Sequence, residues 1–257
     1  MIVNYKETGW EVITQRAHGI VAAQVAFNWK AKDRPQRWVE TVLAIAEHDD
    51  AENELDGEEL LTTAGGPLNF AMKKFELAHC QKLASLIITK SRYIALLTSM
   101  HMQFLYAKDA ETSAEAAQFL NELEVLQTSW RKELNISKTE ALKIYSLLEW
   151  CDAISLLICK AGFQPEGRSV EISTGPDNQR YHLFQQDDNT LSVSPWPFET
   201  NQFTITYDTR LINAVSFKDS AQFRRAFEEA EVIEKSFVFA KNNNIKKAAR
   251  KTNKLDK

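Results

Sequence analysis

The chain has 257 residues, 44% of them apolar and 26% charged, with 31 Lys and Arg set against 35 Asp and Glu for a net charge of −4. This composition excludes wholesale disorder and fits one large domain or a domain with a small module. The acidic balance leaves no broad basic face for phosphate backbones, so nucleic-acid binding is not expected.

Residues 2–15 read as a hairpin, with β-branched pairs at Ile2-Val3 and Val12-Ile13 and a turn at Glu7-Thr8-Gly9. Helices are predicted at about 17–29, from Pro35 to His48, over 71–90, over 92–107 behind a Ser91 cap, over 113–134, and from the capping box Ser137-Lys138-Thr139-Glu140 to Gly162. Gly162 is expected to end the last of these in the left-handed conformation. Residues 50–70, with Gly57, Gly65, Gly66 and Pro67, form a long polar loop. After Gly162 the pattern shortens into strands at 169–173, 180–185, 190–193 and 202–207, and a helix capped by Asp219 or Ser220 runs to about Glu234. The fold class expected is mainly α: a helical bundle over 1–162 that includes the N-terminal hairpin, a small β-rich C-terminal module over 163–240 that ends in a helix, and a basic flexible tail over 241–257.

Cys80, Cys151 and Cys159 form no CxxC pair and sit in apolar stretches, as reduced thiols of a cytoplasmic protein do. The N-terminus lacks the basic and apolar regions of a signal peptide, and no apolar run approaches the roughly 18 residues of a membrane span.

Polar residues recur where a core should be. His18 shares a helical face with Ala22, Val25 and Trp29; Asp49 with Trp38, Val42 and Ile45; His79 with Phe75, Leu83 and Leu86; His101 with Ile94, Leu97 and Leu105; Asp152 with Tyr145, Leu148, Ser155 and Cys159. A carboxylate as deeply set as Asp152 requires a cationic partner, and the other core-facing polar groups are mostly histidines. A divalent metal held by His18, His48, Asp49, His101 and Asp152 satisfies all of them; an ion pair of protonated His101 with Asp152 is the alternative. His79 stands between a sixth ligand and a partly solvated structural histidine, and His182 reads as structural or exposed.

The order His18, His48-Asp49, His79, His101, Asp152 resembles the HD-domain metal-dependent superfamily over about residues 17–161. The resemblance implies one or two ions of Fe, Mn or Zn. Asp49 would bridge them, with His18, His48 and Asp152 on one and His79 and His101 on the other; Asp49 and His101 would be the catalytic pair. The full chain also resembles a bacterial family, the domain of unknown function numbered 3891, on the hairpin at Met1-Ile2-Val3, the segments Ile13–His18 and Leu96–His101, the His48-Asp49-Asp50 element and Pro195-Trp196-Pro197-Phe198. Ala51-Glu52 departs from the Gly-Trp usual after that element.

The expected function is a metal-dependent hydrolase of a small phosphorylated substrate. The alternatives are a diiron oxygenase of small polar substrates and a non-enzymatic metal- or ligand-binding protein. Gln15, Arg16, Trp196 and Arg210 are candidate substrate contacts. The Pro195–Phe198 segment either clamps the bundle or helps close the site. No GxGxxG, P-loop or GxSxG motif is present, and the sequence leaves the oligomeric state open.

Overall fold

The structure, a computed structural model, describes residues 1–50, 54–73, 75–186 and 190–242. The basic tail expected from 241 onward lies outside the described residues from 243, as does Ala51-Glu52. The chain runs β1 (Ile2–Lys6), β2 (Gly9–Ile13), α1 (Gln15–Phe27), α2 (Trp38–Ala46), α3 (Leu77–Ile88), α4 (Arg92–Thr112), α5 (Ala114–Leu134), α6 (Lys138–Cys159), β3 (Ser169–Thr174), β4 (Arg180–Gln185), β5 (Thr190–Ser194), β6 (Gln202–Ile212), α7 (Ser220–Glu229) and β7 (Glu231–Ala240).

The helices begin where side-chain acceptors satisfy their first free amides. Thr14 accepts from Ala17 N, Ser91 from Ile94 N and Ser137 from Glu140 N. Past α6 it is Ala161, at φ 49°, that takes the left-handed conformation expected of Gly162.

The expectation of a mainly α bundle with a small β module is overturned. All seven strands form one mixed, curled sheet in the order β1-β2-β6-β7-β5-β4-β3. The N-terminal hairpin belongs to it, because β2 pairs antiparallel with β6 in a register that sets Glu11 opposite Leu211. The C-terminal segment ends in strand β7 rather than a helix. It pairs antiparallel with β6 along its full length and parallel with β5, which joins the two halves of the sheet. Its sequence, Glu231 to Ala240, ends in an alternating Phe237-Val238-Phe239 that only a strand buries on one face.

Helices and sheet share a core. Val21, Val25 and Trp29 of α1 and its C-terminal flank, Trp150 and Ile154 of α6, and Leu183, Ile205 and Phe239 of the sheet form one buried cluster. Trp150 meets Trp29 edge-on at 5.0 Å between ring centroids and Tyr181 at 5.3 Å. Phe198 packs edge-on against both tryptophans while the Pro197 carbonyl accepts from Lys30 N, so the Pro195–Phe198 segment clamps α1 to the sheet. Gln24 extends α1's hold: its amide donates to the Thr206 carbonyl at 2.7 Å and accepts from Thr206 N at 3.0 Å. It thereby serves β6 backbone groups beyond the reach of β2.

One glycine sets the distance between α1 and α2. A Cβ at Gly19 would stand 2.3 Å from the Ala46 carbonyl oxygen, so the helices cross backbone to backbone beside His18. For Gly19→Ala, a backbone clash of about 2–3 kcal/mol outweighs the gain in helix propensity of about 1 kcal/mol. A net loss near 1–2 kcal/mol is expected in urea unfolding, and a neutral or stabilised variant would show that this close approach is not needed.

Candidate metal centre

The helical crossing brings His18 to the end of α2, where His48 and Asp49 occupy the turn after Ala46. Adjacent residues on a regular helix diverge by about 100°, and the turn removes that constraint. His101 arrives from α4 and Asp152 from α6. His18, His48 and His101 are at most 1% exposed and Asp152 is 8% exposed, while the Asp49 side chain keeps 23% of its surface.

The functional atoms converge. Oδ1 of Asp152 lies 3.2 Å from both His18 Nε2 and His48 Nε2. Oδ2 of Asp49 lies 3.7 Å from His48 Nε2 and 4.0 Å from His18 Nε2. Its other oxygen, Oδ1, lies 3.8 Å from His101 Nε2. The His18 and His48 rings meet edge-on at 5.0 Å, as do His48 and His101 at 4.8 Å.

His48 Nδ1 donates to the Ile45 carbonyl at 2.7 Å, which leaves Nε2 to face the carboxylates. Burial alone lowers the His48 imidazole, but the charge of Asp49 and the hydrogen bond and charge of Asp152 prevail and hold it at about 9. Burial likewise raises both carboxylates, yet the hydrogen bonds and positive charge of the histidines bring Asp152 well below the ordinary range and Asp49 below it. His101 is pushed down to about 4 by burial and by the neighbouring His48 charge. The cluster therefore draws one positive charge into its centre.

Two groups of side chains stand close enough to share a metal ion among the described residues: His18, His48 and Asp152, and His48, Asp49 and His101. Neither includes His79, which is half-buried on α3 and lines the same cavity as His101. That cavity, of about 340 Å³, opens on Asp49, His101 and Asp152. Phe70, Phe75, Leu105 and Leu156 give it apolar walls, and Gln15, Lys73, His79 and Asp109 give it polar ones. A wider depression of about 870 Å³ lies between Glu58–Gly65 and Ser216–Ala221, but it carries none of the histidines.

The four candidate substrate contacts separate. Gln15 lines the cavity, and its amide donates to Asp49 Oδ2 at 3.0 Å, so it orients a carboxylate of the cluster. Arg16 turns outward to pair with Asp50 at 2.6 Å. Trp196 packs on Phe198, and its Nε1 donates to the Thr200 carbonyl. Arg210 lies over the Phe227 ring and donates to the Phe227 carbonyl, so neither it nor Trp196 is among the side chains lining the cavity.

Sequence reasoning missed Glu54, whose carboxylate pairs with the Met1 amino group and accepts from Gln15 N. It opens a single 3-10 turn, Glu54–Asp56, too short to carry a period that would mark it. It also passed over Tyr145, whose hydroxyl meets His101 Nδ1 at 3.3 Å. Tyr145 stands two helical turns before Asp152 on the same stripe, which was the available signal.

A family model described as protein of unknown function (DUF3891) matches residues 1–214. The chain belongs to this family. The match takes in the hairpin, all five clustered residues and β6. No curated protein and no solved structure matches the chain. Among the described residues, no helix is long and apolar enough to cross a membrane.

Proposed function

We propose that this protein is a metal-dependent hydrolase of a small, phosphorylated substrate, with the ion held by His18, His48, Asp49 and Asp152. The observation that carries the reading is the separation of the ligand atoms. Atoms bound to one ion at about 2.1 Å lie roughly 3.0–4.2 Å apart, and the four separations from these carboxylate oxygens to His18 and His48 run from 3.2 to 4.0 Å. His101 Nε2 supports it as well, being buried with no hydrogen-bond partner. Asp49, with one oxygen toward each side, would bridge to a second ion at His101, which His79 would complete from the same cavity. Imidazole and carboxylate together suit Fe, Mn or Zn better than Ca.

When bound, a divalent ion supplies a water of lowered pKa and polarises a phosphoryl oxygen. The chain's own residues do the rest. The Ile45 carbonyl keeps the proton of His48 on Nδ1, so its Nε2 faces the ion. The Gln15 amide steadies Asp49. Lys73 supplies a cation at the cavity for a phosphate group, and Phe70, Phe75 and Leu156 exclude bulk water from the reacting end.

The test is metal analysis of the wild type and of Asp49→Ala, alongside phosphate release from a panel of small phosphomonoesters. The wild type is expected to hold one to two ions per chain and the variant to lose metal and turnover together. Full metal in Asp49→Ala would remove the bridging role. Less than about one ion per wild-type chain after supplementation would leave a protein that binds without metal catalysis. Oxygen consumption by the iron-loaded form with a polyol, and no phosphate release, would favour the diiron oxygenase.

A further inference from the structure

We propose that Tyr145 is a positioning residue: its hydroxyl holds the proton of His101 on Nδ1, so that Nε2 presents a bare lone pair toward Asp49. The tautomer stands on hydrogen bonding alone; its use in holding an ion rests on the metal reading above.

A neutral imidazole carries one N–H, and its two nitrogens here face unequal surroundings. Nδ1 has the Tyr145 oxygen at 3.3 Å. Nε2 is buried with no hydrogen-bond partner, and its nearest carboxylate oxygen, Asp49 Oδ1, stands at 3.8 Å. A proton on Nε2 would be a buried donor without an acceptor, a state rarer in proteins than an under-used acceptor. A proton on Nδ1 has the phenol oxygen to accept it.

The packing fixes this arrangement. Tyr145 reaches His101 from α6, and Phe104, one turn after His101 on α4, stacks at 6.3 Å from the imidazole and stands 6.4 Å from the phenol ring. The three rings wedge α4 against α6 behind the cluster. Tyr145 is absent from the cavity wall, so its effect on a bound ion or substrate passes through His101. Histidine ligands of metals commonly donate their second N–H to an oxygen in this manner; at His48 a backbone carbonyl does so, and at His101 a side chain that mutation can remove.

The experiment reads the imidazole nitrogens of His101 by 15N NMR in metal-free protein at neutral pH, in the wild type, Tyr145→Phe and Phe104→Leu. The wild type is expected to show the Nδ1–H tautomer. Tyr145→Phe is expected to shift toward Nε2–H, and Phe104→Leu, which loosens the same packing but keeps the phenol, to stay as the wild type. A wild type with Nε2–H, or a Tyr145→Phe spectrum unchanged from the wild type, would overturn the proposal. Zn2+ alone, titrated against a competing chelator, then tests the consequence, with a weakening of about 10–100-fold expected for the His101-dependent ion in Tyr145→Phe. A wild type that binds no Zn2+ sinks the metal reading while the nitrogen spectra still decide the role of Tyr145. If Tyr145→Phe fails to fold, the wild-type and Phe104→Leu spectra decide it.

Discussion

Asp152→Ala is expected to lose the ion it shares with His18 and His48 and to unfold about 3–5 kcal/mol more easily than the wild type. One oxygen of this carboxylate is approached at 3.2 Å by two buried imidazoles, and Asp152 itself is only 8% exposed. Removing it leaves His18 and His48 with only the more distant Asp49 carboxylate, at 4.0 and 3.7 Å, and a proton on His48 then sits in a buried site without its nearest counter-charge. Asp152→Asn keeps the size and loses the charge. It is expected to lose the same metal but less stability, since an amide oxygen still accepts one hydrogen bond. Urea unfolding with and without a chelator, beside metal analysis, separates the two costs. Wild-type metal content in Asp152→Ala would refute its place among the ligands.

The metal-free protein is expected to lose stability in alkali, and the metal-loaded protein is not. His48 sits at about 9 in the folded chain against an ordinary value of 6.5. A raised histidine contributes stability that is fully present below 6.5 and lost as pH rises through 9, about 3 kcal/mol in all. On the acid side the sign reverses. His101, held at about 4, stays neutral while the unfolded chain takes up its proton, so stability falls as pH drops from 6.5 toward 4. Asp49 and Asp152, held below their ordinary values, add a loss as pH falls toward their folded values. Stability of the metal-free form therefore peaks near pH 6.5. A divalent ion on His48 Nε2 takes the place of the proton, and the alkaline limb should vanish. Melting curves at pH 6.5, 8 and 9 with metal and with chelator read this directly. An equal alkaline loss in both would mean that the proton, not an ion, is the natural occupant.

The cluster was legible in the sequence because each member interrupts an apolar helical stripe. His18, His101 and Asp152 stand on such stripes, and burial makes their polarity costly enough to point at one another. The His48-Asp49 doublet was legible as chemistry but not as geometry, since the turn that lets both side chains reach the centre follows α2 instead of belonging to it. His79 stands on a stripe of the same kind, yet α3 sets it on the cavity wall outside both close groups. The sheet was not legible. Strands at 2–13 and 202–207 announce themselves by alternation, whereas β7 falls where a helix reaching Glu234 was expected, and the pairing of the two ends depends on a register between segments some 200 residues apart, which no local pattern encodes. Arg210 illustrates the consequence: a free cation near a strand end in the sequence, it is committed in the fold to the carbonyl and ring of Phe227.

The pairing of β2 with β6 also governs when the centre can form. The helix bearing His18 starts two residues after β2, and its outer face is secured by Gln24 on β6. Every candidate ligand precedes β6 in the chain, yet that strand steadies the helix bearing the first of them. Long-range pairing of this kind makes folding slow and keeps apolar helical faces open meanwhile. Enclosure of the centre thus waits on β6 and β7, strands that follow every one of its ligands in the chain.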